Sequence, residues 1–276
     1  MFDGPESRWP ASLALRFRQV GDRTVFDAHH RGPLRVQKPL YPEGCSVCHA
    51  VLLHPPGGIA GGDSLDVSVE TERGSHALIT TPGASKWYKA NGRVARQQIA
   101  LDVRGVLEWL PQEAIVFDQA QVDSRIDIAL ARGATMLGWD LVALGRAASG
   151  ERFESGRFSQ TIRLQLDGEL QWIERTRIDG NDPLLASPIG LAGQHVFGCL
   201  WAAGAPVDDA SLEAIRLALG DAANDAPLTR LSAHVMVARA LGPSTASVRS
   251  ALERMWAVLR PHVVQKPAQR PRLWST

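Results

Sequence analysis

The ten residues from His54 to Asp63, His-Pro-Pro-Gly-Gly-Ile-Ala-Gly-Gly-Asp, contain four glycines and two prolines. Glycine loses more backbone freedom on ordering than any other residue, and proline lacks an N–H donor. A chain that keeps such a segment folded needs a sharp bend there, or a backbone that another group can approach closely. The flanks supply the context. Val51-Leu52-Leu53 reads as a buried strand, and Leu65, Val67 and Val69 alternate with polar residues as in a half-buried strand. The unit is strand, glycine corner (Pro55, Pro56, Gly57, Gly58, Gly61, Gly62), acidic residue (Asp63), strand. That order argues against a phosphate loop. A Walker loop closes on Gly-Lys-Ser/Thr, and a dinucleotide fingerprint runs into a helix whose N-terminus faces the pyrophosphate. Here the glycines end on a carboxylate and feed a strand. A structural corner is the plain reading, and a corner that also sets Asp63 on a functional surface is the sharper one.

Period-two alternation recurs along most of the chain. It runs through Leu13, Leu15 and Phe17, through Leu34 to Gln37, through Ile99, Leu101 and Val103, and through Arg125 to Leu130. Short apolar or β-branched runs at His76–Thr81, Leu137–Leu144 and Val196–Trp201 read as further strands. Ile162, Leu164 and Leu166 lead into Asp167-Gly168, a type I′ turn signal, and Leu170 to Glu174 returns. The pattern changes near Ala205. Asp208 caps a helical run to Leu219, Leu228 to Leu241 shows 3–4 spacing, and Val248 to Leu259 shows it again before Pro261. These patterns predict a mostly β (α+β) protein in a single domain. A strand-rich body covers about 10–204, a helical segment about 206–262, and a loose or partner-ordered tail 263–276.

Lys+Arg number 30 against 29 Asp+Glu, a net charge of +1, which favours neither nucleic acid nor a membrane surface as partner. Met1 to Trp9 is polar, without the apolar core of a signal peptide, so a cytoplasmic location is expected. Three cysteines, Cys45, Cys48 and Cys199, argue against a disulfide framework. Cys45-Ser46-Val47-Cys48-His49 matches the haem-attachment pattern C-x-x-C-H and could equally be a redox pair. With His54, the same residues form a possible soft metal-ligand set of no standard spacing. The reading favoured is the lead-in to a strand with incidental cysteines.

Two further places carry chemistry. After the Pro82-Gly83 turn, Ser85, Lys86, Trp87 and Tyr88 bring together a hydroxyl, a cation and two rings, a packed turn or a partner surface. Asp140 follows Trp139 within an apolar run, where a carboxylate must be paired or must line a wet cavity. No G-x-S-x-G elbow, H-E-x-x-H helix, kinase set or P-loop occurs. Residue chemistry leaves an enzyme and a binding scaffold open, and favours the scaffold.

Several stretches, in order, resemble one family, the urease accessory protein UreD (UreH). They are Gly32-Pro33-Leu34 with Gln37 to Pro42, Cys48-His49, His54 to Asp63, and Thr80 to Tyr88. Trp109 to Glu113 with Phe117-Asp118, and Gly145-Arg146 ahead of Gly150-Glu151, complete the set. Cys45 lies outside that pattern, which weakens the C-x-x-C-H reading. The resemblance implies a β-helical, strand-rich body with a few helices, acting as a non-enzymatic nickel-insertion chaperone. It implies the accessory protein UreF, the GTPase UreG and apo-urease as partners, in a complex with two copies of each accessory protein. It implies transient Ni²⁺ and no tightly bound cofactor. On this reading Asp63, Ser85, Asp140 and Glu174 face a polar passage, and Cys48, His49 and His54 make transient metal contacts. Lys86, Trp87, Tyr88 and Trp256 are expected at partner surfaces, and the helices after Asp208 with the tail are expected to meet UreF. The alternatives are a β-helix hydrolase and a stand-alone nickel-binding protein.

Overall fold

A computed structural model describes residues 9–275; the polar N-terminus, apart from Trp9, and Thr276 lie outside the described residues. The first part of the chain forms β1 (Pro10–Val20), β2 (Arg23–Arg31), β3 (Arg35–Val36), β4 (Val47–Leu53), β5 (Ser64–Thr71) and β6 (His76–Thr80). There follow β7 (Ser85–Trp87), β8 (Ala95–Val103), β9 (Val106–Trp109), β10 (Ala114–Val116), β11 (Gln121–Leu130) and β12 (Thr135–Leu144). The body closes with β13 (Arg157–Leu166), β14 (Glu169–Asp179) and β15 (Val196–Ala203). The C-terminal part holds α1 (Asp209–Leu219), α2 (Ala222–Asp225), β16 (Leu228–Ser232), β17 (Val235–Gly242) and α3 (Thr245–Val263).

Two sheets face each other. The first has the order β14-β13-β11-β8-β5-β1-β2, and the second β16-β17-β15-β12-β9-β6-β4-β3. The chain crosses from the second sheet to the first and back in successive coils: β4 to β5 to β6, then β8, β9, β11, β12 and β13. Each coil lays its strands parallel to those of the coil before. The body is therefore β-helical. Antiparallel strands close it at both ends, β2 and β3 at one, β14, β15, β17 and β16 at the other. A short third ladder joins Ile59, β7, β10 and the end of β12.

The alternation in the sequence explains the layering. Leu13, Leu15 and Phe17, Leu65, Val67 and Val69, and Ile126, Ile128 and Leu130 point inward from the first sheet and are buried against the second. The second sheet is covered on both faces. Cys48, Ala50, Leu107, Met136 and Trp201 pack inward, while Leu78, Leu110, Leu137, Leu141 and Leu200 face outward. Val248, Leu252, Met255, Trp256 and Leu259 of α3 pack on that outward face. Helix α1 is capped as its sequence predicts, with Asp208 Oδ1 accepting from the Ser211 N–H at 2.7 Å. The Asp167-Gly168 turn has φ of 53° and 85°, the positive pair that a type I′ hairpin requires.

Two expectations for the C-terminal part fail. Leu228 to Leu241 is not helical: it is the β16–β17 hairpin, paired onto β15. A strand buried on both faces is apolar at consecutive positions, as at Val235-Met236-Val237-Ala238, and its periodicity no longer separates strand from helix. Nor is the tail loose over its described part. Trp274 is buried beside Trp139 and Trp256, its Nε1 donates to Thr80 Oγ1 at 2.9 Å, and Arg270 pairs with Glu253 at 2.7 Å.

Candidate functional site

The glycine corner is built for close approach. Gly57 and Gly62 have φ of 76° and 98°. A Cβ on Gly58 would stand 2.3 Å from the Tyr88 ring, and one on Gly61 would stand 2.3 Å from the Ala90 carbonyl oxygen. Ile59 donates to the Lys86 carbonyl at 2.7 Å and accepts from the Tyr88 N–H at 2.9 Å, so the corner is tied to β7. Pro55 and Pro56 stay on the exposed side. The Asp63 carboxylate accepts from the Ala60 N–H at 2.8 Å, which caps the loop.

Next to this corner lies a cavity of about 250 Å³ between the sheets, edged by His54, Gly57, Gly58, Pro82, Ser85 and Lys86. Its position follows from β12. Thr135–Gly138 pair with β9, and Val142–Leu144 pair with β10. Trp139, Asp140 and Leu141 fall where the strand changes neighbours, and the sheet parts there. Trp139 Nε1 donates to the Pro111 carbonyl at 2.8 Å, and Arg249 of α3 binds Gln112 and Glu113, which holds the Trp109–Glu113 stretch over the opening. Trp109 lines the cavity, and its indole N–H has no protein acceptor.

A second cavity of about 460 Å³ lies at the other end of the opening, lined by Glu174, Thr176, Cys199 and Arg239 and edged by Gly190 and Leu191. Asp140 and Gln160 line both cavities. Register explains why polar groups gather here. On the first sheet, Gln97, Ser124, Gln160 and Thr176 are cross-strand neighbours in one row. On the second, Asp140, Cys199 and Arg239 form another row. The result is a polar band through an otherwise apolar interior.

Asp140 Oδ2 accepts from Gln160 Nε2 at 2.8 Å, yet burial outweighs that bond and pushes the carboxyl pKa above its ordinary value. Burial also pushes the Cys199 thiol up. The Glu174 carboxylate is paired with Arg239 at 2.5 and 3.1 Å. Burial lowers the pKa of His54 at the first cavity, partly opposed by the charge of Asp63. Among the described residues, no three His, Cys, Asp or Glu side chains are grouped to hold a metal ion.

Of the four residues expected at a passage, Ser85, Asp140 and Glu174 line the two cavities; Asp63 does not, because it caps the corner. Cys48, His49 and His54 do not converge. Cys48 and His49 are consecutive on β4 and therefore point to opposite faces. Cys48 is buried between the sheets with its pKa raised to about 11 by burial, and His49 is hydrogen-bonded to Glu43 at 2.7 Å. Only His54 reaches a cavity. Cys45 is held apart by Asp22, 3.3 Å from its Sγ. Trp87 and Trp256 are each 2% exposed and cannot serve as partner surface; they pack in the core, while Lys86 and Tyr88 are half-buried.

Trp256 belongs to a site that pattern reading missed. Its Nε1 donates to Glu108 Oε2 at 2.9 Å, and Arg260 donates to both Glu108 oxygens at 2.9 Å. His76 Nε2 lies 2.8 Å from the same carboxylate, and Arg260 also binds Glu43, the partner of His49. Glu108 and Arg260 are fully buried. The one signal in the sequence is a charge within each apolar run, Leu107-Glu108-Trp109 and Leu259-Arg260. This network pins α3 to the outward face of the second sheet, the face opposite the polar band.

Fold and site together define a β-helical scaffold with a hydrophilic seam between its sheets. The chain belongs to the UreD urease accessory protein family, whose profile matches residues 10–275. It is 47% identical over 274 residues to the urease accessory protein UreD of Dechloromonas aromatica, spanning 97% of this chain and 95% of that protein. It is 46% identical over 282 residues to the UreD of Ralstonia nicotianae (97% and 94% covered) and 46% identical over 271 residues to that of Pseudomonas aeruginosa (97% and 95% covered). No helix among the described residues is long and apolar enough to cross a membrane.

Proposed function

We infer that this chain is a non-enzymatic maturation chaperone that helps bring Ni²⁺ to apo-urease, working in the cytoplasm with UreF and the GTPase UreG, and that the polar band is the path of the ion. The observation that carries the reading is the position of Asp140, which lines both cavities where β12 changes partners. Family membership supplies the connection to urease. Size is compatible: the smaller cavity, at about 250 Å³, is many times the ~10–15 Å³ of free space that one water needs. The lining chemistry is compatible too. Amide, hydroxyl and carboxyl oxygens exchange with a hydrated ion, whereas a closed thiolate set would trap it. Ni²⁺ here is cargo, and no tight resident site is proposed.

The test is urease activation from apo-urease, UreF, UreG, GTP, bicarbonate and Ni²⁺, with and without this chain. Activation is expected to depend on the chain. Asp140→Lys, which places a fixed cation at the junction of the cavities, is expected to lower it by at least about tenfold. Activation by an Asp140→Lys protein that folds and still joins the complex, at the wild-type rate, would show that nickel takes another route.

A further inference from the structure

The outward face of the first sheet carries charge unevenly. Over β8, β11, β13 and β14 lies a shallow groove of about 470 Å³, whose lining includes four arginines, Arg96, Arg125, Arg163 and Arg175, and one carboxylate, Asp123. Asp123 stands 3.7 Å from Arg96. Asp127, at the border, is shared between Arg125 at 2.5 Å and Arg163 at 3.8 Å. Arg175 is exposed and has no ion-pair partner among the described residues. Two carboxylates therefore serve four guanidinium groups, on a chain whose net charge is only +1. Register sharpens the imbalance. Arg125, Thr161 and Arg175 are cross-strand neighbours in one row, so like charges flank a hydroxyl with strands ~4.8 Å apart. An anion laid over Thr161 would face both guanidinium groups at once. Leu170, half exposed, and Ile173 add an apolar flank on β14.

We propose that this groove docks an acidic segment of a partner protein, with carboxylates over Thr161 and an apolar side chain against Leu170 and Ile173. The inference is independent of the passage reading, because the polar band lies on the inner face of this sheet. Charge complementarity selects the occupant. The four strands span ~14 Å, which an extended chain crosses in about four residues. Its charges are discrete, so they can sit over the arginines and avoid Asp123 and Asp127. Duplex nucleic acid, with one charge per ~1.7 Å of axis, would press phosphates onto both carboxylates.

The experiment is fluorescence anisotropy of a dye-labelled peptide, Glu-Glu-Leu-Glu-Glu-Leu, titrated with the purified full-length chain. Binding is expected at ~50 mM salt and is expected to weaken at least about tenfold by ~300 mM. Arg175→Ala is expected to weaken it about threefold, and Arg175→Glu at least about tenfold. Arg216→Glu, the same change in net charge placed on α1, is expected to stay within about twofold of wild type. Arg175 is exposed, so its variants are expected to keep the wild-type unfolding midpoint; should Arg175→Glu lower it, Arg175→Gln takes its place. Absence of peptide binding by the wild type, or equal losses in Arg175→Glu and Arg216→Glu, would overturn the proposal. So would tighter binding of a duplex DNA than of the peptide, which would make the groove a phosphate-backbone surface. A dimer in sedimentation that Arg175→Glu abolishes would also overturn it, since the occupant would then be a second copy of this chain.

Discussion

At the scale of single residues, the fully buried pair Glu108–Arg260 is the point of highest tension. Burial by itself would raise the Glu108 pKa, but the bonds from His76 and Arg260 overcome it and hold the carboxyl at about 2, below its ordinary 4.5. Removing one partner leaves a buried charge unopposed, so Glu108→Ala is expected to cost ~3–5 kcal/mol in urea unfolding. Arg18→Ala, which breaks the exposed pair with Asp27, is expected to cost under ~1 kcal/mol in the same assay. The pH dependence has a definite sign. A depressed carboxylate contributes its full stability above the unfolded pKa and loses it as pH falls from about 4.5 toward about 2. The wild type should therefore lose stability over that window, and Glu108→Gln should show a flatter acid limb. Asp140 works the other way. Its folded pKa is raised, so its contribution is intact in acid and is lost as pH rises through the folded value. Asp140→Asn is expected to raise Tm near neutral pH and to match wild type in acid. A residue that weakens the fold at working pH fits a role in transport better than one in architecture.

At the scale of elements, the corner between β4 and β5 and the C-terminal segment after α3 make opposite demands. The corner demands empty space. Gly61→Ala would force a Cβ into the Ala90 backbone, which cannot turn aside as a side chain can, and is expected to cost ~1–3 kcal/mol. Gly83→Ala, in the neighbouring turn, has nothing within 4 Å and an unstrained φ, and is expected to be neutral by the same unfolding measurement. The C-terminal segment demands filling. Trp274 lies between Trp139 and Trp256, and Trp274→Ala is expected to cost ~3–5 kcal/mol by the cavity it leaves. A truncation that removes the tail therefore tests packing before it tests contact with a partner, and a loss of UreF binding in such a variant has to be read beside its unfolding curve.

At the scale of the whole molecule, the arrangement is three layers: the first sheet, the second sheet and a helical cover. The apolar interior between the sheets is interrupted by one polar band. A row of alanine-sized or larger apolar residues in its place would bury more surface at ~25 cal/mol per Å². The band is thus a cost to folding, set against the apolar burial of the two core clusters. Exposed Ile189 and Leu184 belong to the same 183–193 stretch as Gly190 and Leu191, which edge the second cavity.

The sequence by itself determined the local geometry: the glycine corner, the alternating strands, the Asp167-Gly168 hairpin, the Asp208 cap, and the need of Asp140 for a partner or for water. Each of these is set by steric or solvation demands that act within a few residues. It also carried the ordered motifs that mark the family. Only the tertiary structure decided which positions are neighbours. Asp140, Cys199 and Arg239 are far apart in the chain and adjacent across one ladder, and register is a property of pairing that no single segment encodes. The same holds for Glu108 and Arg260, which read as isolated charges until α3 lies on β9's sheet. Where both faces of a strand are buried, as in β17, the pattern itself loses its meaning, and long-range packing alone selects strand over helix.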